Sequence, residues 1–131
     1  MTPPLPLPET TETLARQIVD AAYKIHSALG PGLLESVYEA CLCIELKRRE
    51  VRYEKQVSIP VFYDGIAVEP GLRLDLLVGG CVIVELKSVE RLLPVHESQV
   101  LTYLRLARIR LGLLLNFNVV LMKHGIRRII P

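Results

Sequence analysis

The sequence predicts an α/β (α+β) fold: one mixed central sheet with helices packed on it. Three observations predict it. Apolar residues recur at helical spacing in two early segments and one late one, strand-like apolar runs fill the middle and the end, and glycine or proline marks most junctions. Half of the 131 residues are hydrophobic, enough for one real core. The expected organisation is a flexible proline-rich tail over residues 1–9 and a single domain over 10–131.

In order along the chain, Thr10 or Thr11 is the expected cap of a first helix. Its apolar face is Leu14, Ile18, Ala21, Ala22, Ile25 and Leu29, and Gly30-Pro31-Gly32 ends it. A second helix, roughly Leu34 to Arg49, is apolar around much of its circumference and is expected to be mostly buried; Lys47-Arg48-Arg49 suits the negative end of its dipole. A long strand from about Arg52 to Tyr63 turns at Asp64-Gly65 into a short strand, Ile66-Ala67-Val68, and Glu69-Pro70-Gly71 breaks the chain. Two apolar strands follow within 73–88. A third helix runs from Pro94 or Val95 to Arg110, with proline tolerated in its first turn, and Leu111 to Phe117 is a buried strand. Val119–Met122 and Ile126–Ile130 read as a last hairpin about Lys123-His124-Gly125. The strand, helix, strand passage from Val82 to Phe117 predicts a right-handed parallel crossover.

The net charge of +2 is mild, so nucleic-acid affinity would have to come from local basic clusters such as Arg105, Arg108 and Arg110. Cys41, Cys43 and Cys81 form no C-x-x-C pair and leave one over, which speaks against a disulfide framework or a cysteine metal site; reduced, buried thiols are expected. The first residues lack the basic start and apolar core of a leader, and no apolar run approaches a membrane span. A soluble cytoplasmic protein with no membrane partner is the expectation.

The chemistry is concentrated in 73–88, where Asp75, Glu85 and Lys87 interrupt otherwise apolar strands. An unpaired buried charge costs several kcal/mol, so these three need compensation. Side chains alternate along a strand, which puts Glu85 and Lys87 on one face while Leu86 points to the other with its carbonyl at the strand edge. Two carboxylates, a carbonyl and water form the oxygen donor set of Mg²⁺ or Mn²⁺. Such a cation beside an ammonium suits phosphodiester hydrolysis.

This reading carries a geometric requirement. A two-residue Gly79-Gly80 turn would pair Val78 with Cys81 and send the carboxylates to opposite faces. A three-residue loop, Gly79-Gly80-Cys81, sets Asp75 opposite Glu85, so the longer loop or an equivalent bulge or bend at Asp75 is predicted.

Asp75 followed by Glu85-Leu86-Lys87 resembles the PD-(D/E)XK nuclease signature, with Leu74 at its loose proline position. Gly32-Leu33-Leu34-Glu35-Ser36-Val37-Tyr38 resembles the Gly-x-x-Glu-x-x-Tyr motif of the GxxExxY family in that superfamily. Residues 22–32, 94–99 and 112–118 look like the blocks around it. The family is similar to the RecB-like branch, whose site combines a helix glutamate, the D and E-x-K residues and a Gln-x-x-x-Tyr motif; Gln99 and Tyr103 match the last. The resemblance implies a restriction-endonuclease-like αβββαβ core and a metal-dependent nuclease, acting on DNA more than RNA. It implies Glu35, Asp75, Glu85, Lys87, Gln99 and Tyr103 as catalytic positions. Asp75, Glu85, the Leu86 carbonyl and Glu35 are then the metal ligands, with His26 as a further candidate because some RecB-like enzymes place a histidine near the helix glutamate. His96, Arg105 and Arg108 join Gln99 and Tyr103 as candidate substrate contacts.

Each of these has a plainer structural reading. Glu35 is also a first-turn carboxylate favoured by the helix dipole, Gln99 and Tyr103 are one turn apart and can merely bond each other or the sheet edge, and lone helical histidines are usually satisfied packing residues. The rival function is a non-catalytic nuclease-fold module that binds or regulates, as a homodimer or as an accessory to a nucleic-acid-processing partner. In that case Lys87 neutralises Glu85 directly.

Overall fold

The computed structural model describes residues 5–131. Its elements are α1 (Glu9–Leu29), α2 (Glu35–Arg48), β1 (Tyr53–Tyr63), β2 (Ile66–Val78), β3 (Val82–Lys87), α3 (Pro94–Ala107), β4 (Leu111–Asn116) and β5 (Ile126–Ile129). They build a mixed five-stranded sheet in the order β1-β2-β3-β4-β5. The β3–β4 pair is parallel, joined through α3, and the other neighbours are antiparallel. This is the α+β architecture of the restriction-endonuclease-like fold.

Alternation along the strands feeds two cores, one on each face. Leu76, Val78, Val82, Val84, Leu86, Leu111, Leu113 and Leu115 meet α1 (Ile18, Ala21, Ala22, Ile25) and α2 (Tyr38, Leu42, Leu46). Leu74, Ile83 and Leu114 meet α3 through Val100, Tyr103 and Leu104. Burying each such large aliphatic side chain contributes about 1.5–3 kcal/mol, so β3 and β4, buried on both faces, are the anchor of the molecule. Between the first two helices, Glu45 is buried and takes Lys24 at 3.1 Å and Arg49 at 3.4 Å, clipping α1 to α2.

Several boundaries differ from the sequence expectation. α1 begins at Glu9 without a side-chain cap: the Glu12 N–H reaches the Pro8 carbonyl at 3.1 Å, and Thr11 is buried. In α2, Val37 and Ile44 are exposed, because only one stripe (Tyr38, Leu42, Glu45, Leu46) faces inward. α3 stops at Ala107, where Arg108 turns left-handed and its N–H closes on the Leu104 carbonyl. Residues 66–78 form one strand, not two: Glu69-Pro70-Gly71 is absorbed as a bulge between the pairs Ile59↔Leu72 and Val61↔Val68. A side chain at Gly71 would run into the Ile59 carbonyl, so glycine allows that close approach. The expected strand over 119–122 is absent; residues 118–121 bend into a short 3₁₀ turn, Met122–Gly125, that leads into β5. The cysteines are free and half-buried.

Residues 1–4 of the expected tail lie outside the described residues. Leu7 packs against the core, and Arg110 donates to the Leu5 and Pro6 carbonyls at 2.7 and 3.3 Å. No described helix is long and apolar enough to cross a membrane.

Candidate active site

β2 and β3 pair as Val78↔Val82, Leu77↔Ile83 and Leu76↔Val84, which leaves Gly79, Gly80 and Cys81 as a three-residue loop. Both glycines have positive φ (58° and 67°), as that loop requires. In this register the next opposed pair is Asp75 with Glu85.

There the ladder stops and side chains take over. The Asp75 N–H donates to Glu85 Oε1 at 3.0 Å, and the Leu86 N–H donates to Asp75 Oδ2 at 2.8 Å. A bend at the same point opens the strands. Leu76 and Val78 face α1 and α2, whereas Leu72 and Leu74 face α3, so β2 switches faces at Asp75. β1 switches with it: Tyr53 lies against the first core and Val57 and Ile59 against the second, on either side of Gln56 at φ 53°. Both the longer loop and the bend at Asp75 are therefore present.

Glu85 is only 5% exposed. Burial and the adjacent Asp75 charge push its carboxyl up to about 8. A proton taken up by Glu85 relieves the repulsion between the two acids. Leu86 sends its N–H toward β2, and because a strand residue's N–H and C=O leave by the same edge, its carbonyl opens there too, beyond the last β2–β3 pair. Two facing carboxylates beside a carbonyl at a split strand edge fit a hard divalent cation, which relieves the same repulsion as the proton does.

Lys87 extends the Glu85 face of β3 and is half-buried; its charge opposes the upward shift of Glu85. Among the described residues it makes no ion pair, so it does not neutralise Glu85 by direct contact.

Three further contacts tie the neighbouring segments to this end of β3. The Ser88 hydroxyl donates to the Leu33 carbonyl at 2.6 Å, drawing the start of α2 to the residue after Lys87. The buried Tyr38 hydroxyl donates to the Gly30 carbonyl at 2.6 Å and accepts the Leu33 N–H at 3.2 Å, while its ring stacks on Phe117 at 4.4 Å. Tyr38 thus sets the loop that delivers Glu35, which is exposed at the first position of α2. Asn116, beside Lys87 in β4, grips the Val89 peptide from both sides, accepting its N–H at 3.1 Å and donating to its carbonyl at 2.9 Å. It is 1% exposed and fixes the link from β3 to α3. Sequence reasoning missed Ser88, Tyr38 and Asn116 as supports; the available signal for Asn116 was a lone polar residue ending an apolar strand.

On α3, Tyr103 is buried against the second core, and burial followed by the charges of Glu85 and Asp75 raises its phenol. Gln99 lies one turn earlier and is exposed.

The other candidates have partners of their own or lie apart from the pair. His26 is buried and its Nε2–H donates to the Val119 carbonyl at 2.7 Å; it lines a cleft with Tyr23, Ser27 and Met122 and not with the carboxylates. Among the described residues no three His, Cys, Asp or Glu side chains gather as a metal site, so neither His26 nor Glu35 joins the pair as a direct ligand in this arrangement. His96 Nδ1 accepts the Leu93 N–H at 2.9 Å and so caps α3. Arg105 and Arg108 lie toward the C-terminal end of α3, which leads to Leu111 beside Val82, the end of β3 remote from Lys87.

A mixed sheet split at paired carboxylates, with a lysine two residues on, defines a nuclease-like α+β hydrolase class. The family model of the PD-(D/E)XK nuclease superfamily matches residues 12–129, and the chain belongs to that superfamily, whose members are usually nucleases. No curated protein and no solved structure gives a significant match.

Proposed function

We propose that this chain is a Mg²⁺- or Mn²⁺-dependent nuclease of the GxxExxY family and the RecB-like branch, cleaving phosphodiester bonds of nucleic acid, DNA more than RNA, in the cytoplasm. The observation that carries the reading is the Asp75–Glu85 crossing at the point where β2 and β3 part. Asp75, Glu85 and the Leu86 carbonyl would hold the cation, with Glu35 at the start of α2 as its support. When bound, the cation supplies a Lewis acid and lowers the pKa of a water molecule.

The chain's own groups do the rest. Lys87, in no ion pair among the described residues, orients the attacking water and offsets the negative charge that grows on the phosphate. Gln99 presents a free amide to the phosphate backbone, and Tyr103 borders the carboxylates from the α3 side. Asn116 and Ser88 keep the backbone after Lys87 from drifting, which matters because a small misplacement of reacting groups costs orders of magnitude in rate. The alternative is a non-catalytic module in which Lys87 neutralises Glu85 directly; among the described residues the two form no ion pair.

The test is cleavage of a panel of single- and double-stranded DNA and RNA with and without Mg²⁺ or Mn²⁺. Metal-dependent cutting lost in Asp75→Ala and Lys87→Ala is expected. An intact panel, together with no metal-induced rise in melting temperature, would hand the protein to the binding reading.

A further inference from the structure

The β1–β2 hairpin carries an apolar stripe that is only half covered. Val57 and Ile59 pair with Leu74 and Leu72 and pack on α3. Continuing the alternation of β1, Val61 and Tyr63 pair with Val68 and Ile66 on the same face, beyond the bulge. Tyr63 is 76%, Ile66 69% and Val68 43% exposed. A bare two-stranded ribbon is marginal in water, and contiguous exposed apolar surface marks an interaction site.

Charge selects the occupant. Residues 60–72 contain Asp64 and Glu69 and no Lys, Arg or His, so the arm repels a polyanion. At the C-terminal end of α3, Arg105 and Arg108 flank exposed Leu106. Among the described residues none of Asp64, Glu69, Arg105 or Arg108 is in an ion pair. The acidic arm projects past the Lys87 end of the sheet, and the basic end of α3 lies at the other. A two-fold axis that sets two chains antiparallel brings the acidic arm of each onto the basic end of the other's α3, making the surface self-complementary.

We propose that the overhanging half of the β1–β2 hairpin is a dimerisation arm that closes on Arg105, Leu106 and Arg108 of a second copy of this chain. The covered half of the stripe shows that α3 side chains suit it, and the arm extends the same packing across the two-fold axis. The proposal stands apart from the nuclease reading and does not need metal.

The experiment is sedimentation equilibrium of the full chain over a hundredfold concentration range, with Ile66→Lys, Glu69→Arg, and Glu69→Arg combined with Arg105→Glu and Arg108→Glu. Ile66 and Glu69 are exposed, so these variants fold; circular dichroism checks it. The wild type is expected at twice its 14.7 kDa chain mass, Ile66→Lys and Glu69→Arg at the monomer mass, and the charge-swapped triple variant restored to the dimer. A monomeric wild type at every concentration overturns the proposal, as does a dimer that Ile66→Lys leaves intact. So does a monomer whose Tyr63 environment responds to a single-stranded oligonucleotide, which would assign the arm to nucleic acid instead.

Discussion

Asp75 and Glu85 exchange their carboxylates across the gap between β2 and β3: Glu85 Oε1 takes the Asp75 N–H at 3.0 Å, and Asp75 Oδ2 takes the Leu86 N–H at 2.8 Å. The backbone hydrogen bonds that end with Leu76↔Val84 are replaced by two side-chain bonds. Each acid is thereby aimed at the other, which is costly unless something positive sits between them. Glu85→Gln keeps an amide oxygen for the Asp75 N–H and removes the repulsion. It is expected to raise the metal-free melting temperature at pH 8 by a few degrees, to abolish the metal-induced rise, and to abolish cleavage. Differential scanning fluorimetry with and without Mn²⁺ measures the first two, and a Glu85→Gln chain that still responds to metal would refute the ligand assignment.

The raised carboxyl of Glu85 predicts a pH dependence with a definite sign. Burial and then Asp75 lift the Glu85 carboxyl from 4.5 in the unfolded reference to about 8 in the fold. Between those values the folded state binds more proton than the unfolded state, so the slope of unfolding free energy with pH is negative. The contribution of this group is full below 4.5, falls as pH rises through the window, and is lost above about 8. A cation that displaces the proton reverses the trend: its apparent affinity should climb by up to about tenfold per pH unit below the folded value. Titration calorimetry near pH 7 in buffers of different ionisation enthalpy should find close to one proton released per cation. Flat affinity from pH 6 to 8 would mean that no proton leaves Glu85 when the cation binds.

Lys87 should separate metal binding from chemistry. Among the described residues it pairs with no carboxylate, so Lys87→Ala is expected to leave the metal-induced rise in melting temperature intact while lowering kcat by about 10²–10⁴, the usual range for a group that moves or positions a proton. Single-turnover rates on the best substrate of the panel provide the measurement. Loss of the metal response together with activity would instead make Lys87 part of the carboxylate scaffold.

How far the sequence carried this differs from residue to residue. The strand charges were legible because Asp75, Glu85 and Lys87 stand in apolar runs, and strand alternation with the Gly79–Cys81 loop then fixed which residues oppose each other. The bend at Asp75 was legible only as one option among several, since the paired switch at Gln56 comes from the left-handed backbone of a residue that looks ordinary in sequence. Glu69-Pro70-Gly71 was misread as a strand break because local composition does not show that β1 runs past it and keeps the two halves in one ladder. His26 was ambiguous for a similar reason: its acceptor, the Val119 carbonyl, is a backbone group remote in sequence. Short-range pattern finds charges in strands; it does not find the partners that the fold brings from far away.

His26 accordingly gives a prediction that divides structure from function. Its Nε2–H satisfies the Val119 carbonyl in the turn that leads to β5. His26→Ala should cost about 1–3 kcal/mol in chemical denaturation, the penalty for leaving a buried acceptor unmade, with the metal response of the folded protein unchanged. A weakened metal response at full stability would return His26 to the metal site.

Asn116 has the opposite profile, a support whose loss should reach the chemistry. It is the only polar residue of β4, lies beside Lys87, and satisfies both polar groups of the Val89 peptide. Asn116→Ala strands that N–H and that carbonyl, at about 1–3 kcal/mol for each group that water does not reach. Asn116→Asp keeps the acceptor for the Val89 N–H but sets a carboxylate against the Val89 carbonyl, so it cannot rescue. The loosened segment is the link from Lys87 to α3, which carries Gln99 and Tyr103, whereas Asp75 and Glu85 are held by β2 and β3. Cation affinity should therefore be nearly unchanged while kcat falls by about tenfold or more through misplacement of Lys87. Denaturant melts give the stability cost, and single-turnover kinetics at saturating Mn²⁺ give the rate. An Asn116→Ala chain that is destabilised but cuts at the wild-type rate once folded would confine this residue to packing, and the alignment of Lys87 would then rest on the Leu33–Ser88 contact and the β3–β4 ladder alone.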